Sequence, residues 1–292
     1  MSSVKRTSAD VEKNKVEGGK LYLVATPIGN LADLSQRAIK VLSEVDFIAA
    51  EDTRNSMRLL SHLEIHKPMV SYFEHNKRER GEQILARLQS GESCALITDA
   101  GTPAISDPGE DLVALCASCG VPVTSVPGAV ASITALTVSG LPTGRFCFEG
   151  FLSTNKAERR ERLEELKTEK RTMMFHEAPH KLKNTLEDFR RAFGDDRRIA
   201  ICRELTKLNE EILRMTLSEA VAYYNATEPR GEYVLVIDGV SQDASSAAFW
   251  TGMDIPTHVA HYVSLGMSKM DAIKQAAKDR GVAKNEVYKA VL

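Results

Sequence analysis

The chain has 292 residues, 43% of them apolar and 27% charged, with a formal net charge of −2. That balance is globular, leaves room for two modest domains, and excludes a chain that holds a polyanion by bulk charge; any such site has to be a local patch. No apolar run approaches the roughly 20 residues that cross a bilayer, so no membrane partner is expected.

The polar residues 1–19, ending in Gly18 and Gly19, read as a disordered leader and not as a signal peptide. Lys20 to Ala25 is a first strand, closed by the turn Thr26-Pro-Ile-Gly-Asn30. Leu31, Leu34, Ala38, Val41, Leu42 and Val45 recur at helical spacing, with Asn30 or Asp33 placed to cap. Phe47 to Ala50 is a second strand, ending in Glu51-Asp-Thr-Arg54. A helix from Arg54 to Leu63, a strand from Met69 to Tyr72 and a helix from Glu82 to Gln89 follow. Cys94 to Thr98 is a short apolar run that breaks into a long loop holding Asp99, Gly101, Pro103, Pro108 and Gly109. Strand-to-helix loops are usually about 2–6 residues, so this one reads as a ligand loop at the carboxyl end of a buried parallel strand. A helix from Asp111 to Ser118, a strand from Val121 to Val126 and a small-residue helix from Ala129 to Ser139 complete a βα alternation, which implies a parallel sheet in a first domain, 20–140.

The pattern then changes. Strands are expected at Arg145–Phe148, Thr172–Phe175, Arg198–Cys202, Glu211–Leu217 and Tyr233–Ile237, with helices at Asn155–Lys170, Leu182–Phe193 and Ala220–Tyr224. Several strands lie close in sequence, so the second α/β domain, 141–240, should hold a mixed sheet. A Ser/Ala linker, 241–254, leads to a helical tail, 255–292, whose last two helices meet at Gly281 in a helix-turn-helix-like arrangement.

Polar clusters close the strands at Thr26–Asn30, Glu51–Arg54, Asp99–Gly109, His176–Lys181 and Arg203–Thr206. Their convergence points to an active site between the two domains. The dinucleotide and P-loop fingerprints, the nucleophile elbow and zinc-spaced Cys/His are all missing. His176-Glu-Ala-Pro-His180 is one residue short of a zinc helix motif, and Pro179 would break that helix, so no metal is expected. The five cysteines (Cys94, Cys116, Cys119, Cys147 and Cys202) sit mostly in apolar segments and read as small buried hydrophobes in a reducing cytoplasm. The charged helix after Asn155 reads as a solvated face laced with i,i+4 pairs, whose first cations could touch phosphate.

Leu23-Val-Ala-Thr-Pro-Ile-Gly-Asn-Leu-Ala-Asp-Leu34, Ala50-Glu-Asp-Thr-Arg54 and Thr98-Asp-Ala-Gly-Thr-Pro-Ala-Ile-Ser-Asp-Pro-Gly109 together resemble the signature of one family. Val126-Pro-Gly-Ala129, Phe175-His-Glu-Ala-Pro-His180 and Arg203-Glu-Leu-Thr-Lys207 extend it in the same order. The family is ribosomal RNA small subunit methyltransferase I, in the tetrapyrrole methylase superfamily, and the resemblance covers about 20–290. It implies two α/β domains with S-adenosylmethionine folded between them. It also implies a cytoplasmic homodimer and methyl transfer to the ribose 2′-oxygen of one cytidine of 16S ribosomal RNA, presented on the 30S subunit. Thr-Pro-Ile-Gly-Asn stands where corrin methylases carry a Gly-Pro-Gly-Asp-like loop, which argues against a corrin substrate.

By that resemblance Pro27, Asp99, Ala100, Gly101, Thr102, Pro103, Ile105, Ser106, Ala129 and Leu205 belong to the cofactor cleft. Asp52, Glu177 and His176 are the candidates for a general base, and Arg54 and His180 would hold phosphate or ribose. Lys156 and Arg159 are expected on the RNA, with Lys77, Arg78, Arg80 and Arg160 as further phosphate contacts. The competing functions are methylation of a tetrapyrrole, another small molecule or a protein on the same fold, and a non-catalytic RNA-binding role in ribosome assembly.

Overall fold

Among the described residues ten short runs become strands, and the length of chain between them decides which way each one runs. The structure is a computed structural model that describes residues 15–240, 250 and 252–291. The chain divides into two compact units, Met1–Gly239 and Val240–Leu292. The leader's residues 1–14 and most of the 241–254 linker lie outside the described residues. The end of the leader is held in place: Val16 packs on the first core and the Glu17 amide donates to the Tyr22 hydroxyl at 2.8 Å.

In the first unit β1 (Leu21–Val24), β2 (Phe47–Ala50), β3 (Met69–Ser71), β4 (Cys94–Ile97) and β5 (Val123–Val126) form a sheet of order β3-β2-β4-β1-β5. Every pair is parallel, because each connection is long enough to cross over. The period of two splits the side chains between two cores. Tyr22, Val24, Ile48 and Ile97 face α1 (Gln36–Glu44), while Leu21, Leu23, Phe47 and Leu96 face α3 (Lys77–Gln89) and α4 (Gly109–Ser118). Between them in sequence, α2 (Thr53–His62) follows β2.

A second sheet holds β6 (Phe146–Gly150), β7 (Thr172–Glu177), β8 (Arg198–Arg203), β9 (Glu211–Thr216) and β10 (Tyr233–Ile237) in the order β6-β7-β10-β8-β9. Only β6 and β7 are parallel, so the sheet is mixed as expected. One face, with Met173, Phe175 and Leu235, packs under α6 (Lys156–Glu165), α7 (Pro179–Phe193) and α8 (Leu217–Ala226). The other, with Met174, Ala200 and Val236, receives Ala135 and Leu136 of α5 (Ala131–Val138). The helix that follows the first sheet's last strand therefore packs on the second sheet and joins the two.

Several boundaries differ from the sequence expectation. The first helix is capped by Ser35, whose Oγ accepts from the Ala38 amide at 3.1 Å, while Asn30 caps a separate 3-10 turn, Leu31–Asp33. α3 starts at Lys77, earlier than the expected Glu82, with Gly81 buried inside it. The charged helix stops at Glu165 and tightens into a 3-10 turn. Cys119 is exposed, not buried.

Among its described residues the second unit holds three helices, α9 (Ile255–Ser264), α10 (Lys269–Arg280) and α11 (Lys284–Val291), around Val259, Ile273, Ala276 and Val287. Gly281 ends α10 with φ 65, a left-handed stop that glycine adopts without a Cβ clash.

Candidate active site

The strand order places β2, β4 and β1 side by side, so their three polar loops leave one edge of the sheet together. Two of these loops are stitched directly. The Thr26 amide donates to the Gly101 carbonyl at 2.9 Å and the Gly101 amide returns the bond to the Thr26 carbonyl at 3.1 Å. Buried Thr26 adds a hydroxyl bond to the Thr98 carbonyl at 3.1 Å, and the Thr102 hydroxyl donates to the Ala129 carbonyl at 3.0 Å. Pro27, the run Asp99 to Pro103 and Ala129 are thereby brought together.

The rest of the long loop is held by its own carboxylate. Asp107 accepts from the amides of Ala104, Ile105 and Gly109 at 3.0, 3.1 and 2.8 Å. That anchoring keeps Ala104 and Ser106 at φ 66, a conformation costly for a residue with a Cβ. Ile105 and Ser106 are exposed, and a Cβ on Gly150 of the second sheet would lie 3.5 Å from Ser106 Oγ. Sequence reasoning passed over Thr26 and Asp107 as ligands of the loop. The Asp-Pro-Gly run was the available signal for Asp107, since aspartate bonds backbone amides within its own turn.

The second sheet reaches this edge through the loop after β8, where Glu204 and Thr206 also have positive φ, 50 and 67. A Cβ at Gly29 would stand 2.4 Å from Lys207 Cγ, 2.9 Å from Thr206 Oγ1 and 3.2 Å from the Leu205 carbonyl oxygen. Only a residue without a side chain allows that approach. Leu205 itself is buried in the α5 core, so it meets the cleft by its backbone. Thr206 Oγ1 is buried without a hydrogen-bond partner. Arg203 pairs with Glu211 at 3.2 Å.

Acidic groups gather beside the stitched loops. Asn55 donates to Asp99 Oδ2 at 3.3 Å, and burial, reinforced by Asp99, pushes the Glu51 carboxyl above its usual value. A bound cation would relieve that repulsion. Backbones that come this close, an orphaned hydroxyl and neighbouring carboxylates together fit a cationic ligand such as S-adenosylmethionine.

The three base candidates separate. Glu177 is 5% exposed and accepts from the Ala178 amide at 2.8 Å and from the Thr185 hydroxyl. Its alternation with Met173 and Phe175 turns it to the α6–α7 face, away from α5, where both oxygens accept bonds inside the core; that placement disfavours the expected role as a base. Asp52 caps α2 through the Arg54 amide at 2.8 Å and pairs with the Arg54 guanidinium, which holds its carboxyl below the usual range. Its lowered basicity argues against a base and for a cap. His176 lies one residue from Glu177 and therefore on the α5 face. Its ring meets Phe148 and Phe151 edge-on at 5.2 and 5.4 Å, its Nε2 is buried without a partner, and burial pushes its pKa down.

The expected RNA contacts also divide. Arg54 projects into solvent, His180 is exposed in the first turn of α7 and Lys156 is exposed at the start of α6. Arg159 points inward, with Nε 2.7 Å from Asp188 Oδ2 and Nη2 2.8 Å from Thr185 Oγ1. It is therefore a tie between helices, because both ends of its fork are already bonded.

The profile of the tetrapyrrole (corrin/porphyrin) methylases matches residues 20–221. Relatives named ribosomal RNA small subunit methyltransferase I align along nearly the whole chain. The one from Halalkalibacterium halodurans is 48% identical over 92% of this chain and 93% of its own. The one from Bacillus subtilis is 46% identical over 94% and 95%, and the one from Synechocystis is 43% identical over 94% and 98%. Among solved structures, uroporphyrin-III-C-methyltransferase from Thermus thermophilus superposes with a TM-score of 0.54 at 18% identity, over 75% of this chain and 94% of that one. Diphthine synthase gives 0.58 at 14%, over 75% and 90%. Those structures share the fold, while the close relatives share the sequence along its length. The chain belongs to the ribosomal RNA small subunit methyltransferase I family, within the tetrapyrrole methylases.

Proposed function

We propose that the protein transfers a methyl group from S-adenosylmethionine to ribosomal RNA of the small subunit, at the 2′-oxygen of one cytidine in 16S RNA on the 30S particle. The observation that carries this reading is the 48% identity, over more than nine-tenths of both chains, to a relative named as a methyltransferase of small-subunit ribosomal RNA. The close-packed loops support it, because the carboxylates of Glu51 and Asp99 beside them suit a sulfonium.

S-adenosylmethionine, when bound, supplies an electrophilic methyl carbon. The stitched loops around Pro27, Gly101, Thr102 and Ala129, with the backbone at Leu205, hold the donor; Ile105 and Ser106 border it. Ordering both partners in line is worth up to about 7–11 kcal/mol of barrier. As the ribose oxygen bonds to carbon and the carbon–sulfur bond breaks, the hydroxyl proton must leave. His176, neutral near pH 7 because burial disfavours its charged form, accepts that proton on its unpartnered nitrogen once the bound ribose displaces the side chains that bury it. Arg54 and His180 steer the flanking phosphates. The acting form is a cytoplasmic homodimer, which light scattering of the purified protein checks. No helix among the described residues is long and apolar enough to cross a membrane.

The test is transfer of labelled methyl to 30S subunits from a strain lacking the modification, with the product mapped by nuclease digestion and mass spectrometry. Label on one cytidine ribose is expected. Cofactor binding without label on the particle would overturn the substrate assignment.

A further inference from the structure

Outside the cleft, α6 and α7 leave a groove of about 870 Å³ between them. Leu152, Leu163 and Thr185 are among its lining residues and are buried. Arg159 spans it, tied to Asp188 and Thr185 of α7, and Thr185 in turn donates to buried Glu177. This chain of bonds runs from the core to the surface and fixes the separation of the two helices.

The charge of the groove is one-sided. Its three carboxylates are already committed: Glu164 to Lys167 at 2.5 Å, Glu187 to Arg190 at 3.1 Å and Asp188 to Arg159 at 2.7 Å. Lys156 and Arg160, four residues apart on one side of α6, and Lys181 in the first turn of α7 make no ion pair among the described residues. Three free cations along one groove match a row of phosphates better than a single anion.

Position supplies the second argument. β6 and β7 run parallel, so α6 and α7 both begin at the strand ends that carry Phe151 and His176. The groove thus starts at the edge where the acceptor ribose would be presented. We infer that it binds the phosphodiester backbone of the RNA substrate beside the methylated nucleotide, through Lys156, Arg160 and Lys181, with Arg159 as a positioning residue that holds the walls apart. The inference rests on the ribosomal RNA reading given above.

The test is the triple variant Lys156→Gln, Arg160→Gln, Lys181→Gln, which leaves Arg159 and the core bonds in place. Its Tm and its dissociation constant for S-adenosylmethionine should equal those of the wild type, while KM for 30S subunits rises at least tenfold at about 0.1 M salt. The slope of log affinity for 16S RNA against log salt should fall by about two to three, since each phosphate contact contributes about 0.7–0.9. An unchanged KM and an unchanged salt slope overturn the groove and leave the methylation reading standing. RNA binding by filter retention separates the opposite case. If the wild type binds 16S RNA but transfers no methyl, and the variant loses that binding, the methylation reading falls and the groove stands.

Discussion

The two sheets of the first unit meet the same cleft with different materials. The parallel sheet offers backbone: Thr26 and Gly101 exchange amide bonds, Asp107 gathers three amides, and Gly29 lets a facing loop come within contact of its Cα. The mixed sheet brings side chains whose buried polar atoms have no hydrogen-bond partner, His176 Nε2 and Thr206 Oγ1. Backbone is a poor discriminator among acceptors but a rigid mould for one invariant donor. Side chains can be exchanged without breaking a strand, which suits the substrate half, because one fold serves acceptors as different as a porphyrin and an RNA.

The sharpest way to break this division is at Gly101. Its φ of 86 excludes most side chains, and a Cβ there would lie 3.4 Å from Ile28. Gly101→Val should therefore lower affinity for S-adenosylmethionine at least tenfold by calorimetry, while 16S RNA binding persists. Loss of both together would show that the sheets do not divide the ligands. The matching change on the other side is His176→Ala. It should reduce kcat by about 10²-fold or more, the contribution of a positioned base, with the cofactor dissociation constant unchanged. An unaltered kcat would remove His176 from the chemistry.

Glu177 sharpens the contrast within a single strand. It sits next to His176 but faces the opposite core. Glu177→Ala leaves the Ala178 amide and the Thr185 hydroxyl without their acceptor, and should cost about 1–3 kcal/mol by urea unfolding. Glu177→Gln should keep kcat. A hundredfold fall in kcat for the Gln variant, with stability intact, would reinstate Glu177 as the base.

The sequence made the strands legible because short apolar runs ended in Gly and Pro, and the βα spacing of the first 140 residues allowed one pairing direction. It also marked the loops that converge. It misled over direction and satisfaction. In Phe175-His-Glu-Ala-Pro-His180 every polar residue looks equally available; only the register of β7, with Phe175 on one core and Met174 on the other, decides that His176 faces α5 and Glu177 does not. The inward turn of Arg159 depends on a partner 29 residues away, Asp188, which no local pattern reveals. Gly81 shows the reverse limit: a helix breaker by propensity, it lies buried inside the helix, where a Cβ would meet Leu115 and Tyr72 only at ordinary contact distances of 3.5 and 3.8 Å, so tertiary packing overrides the local preference.

The smallest expected effect is on stability against pH, and it tests the state of His176 directly. Burial lowers the pKa of this imidazole in the folded chain below the ordinary value of about 6.5. The unfolded chain then takes up a proton before the folded chain does, so its stability contribution is complete above about 6.5 and is lost as pH falls from there toward the folded value. The loss is bounded by about 1.4 kcal/mol for each pH unit of that window. His176→Phe keeps an aromatic ring between Phe148 and Phe151 but cannot titrate. Urea unfolding at pH 7.5 and pH 5.5 should show the wild type losing more stability than this variant, with the other six histidines common to both. Equal losses would mean that His176 is charged as readily in the folded chain as outside it. An imidazole with the ordinary pKa of about 6.5 is still mostly neutral at pH 7.5, so equal losses would remove burial as the cause of its neutrality and leave the kcat of His176→Ala to decide its part in the chemistry.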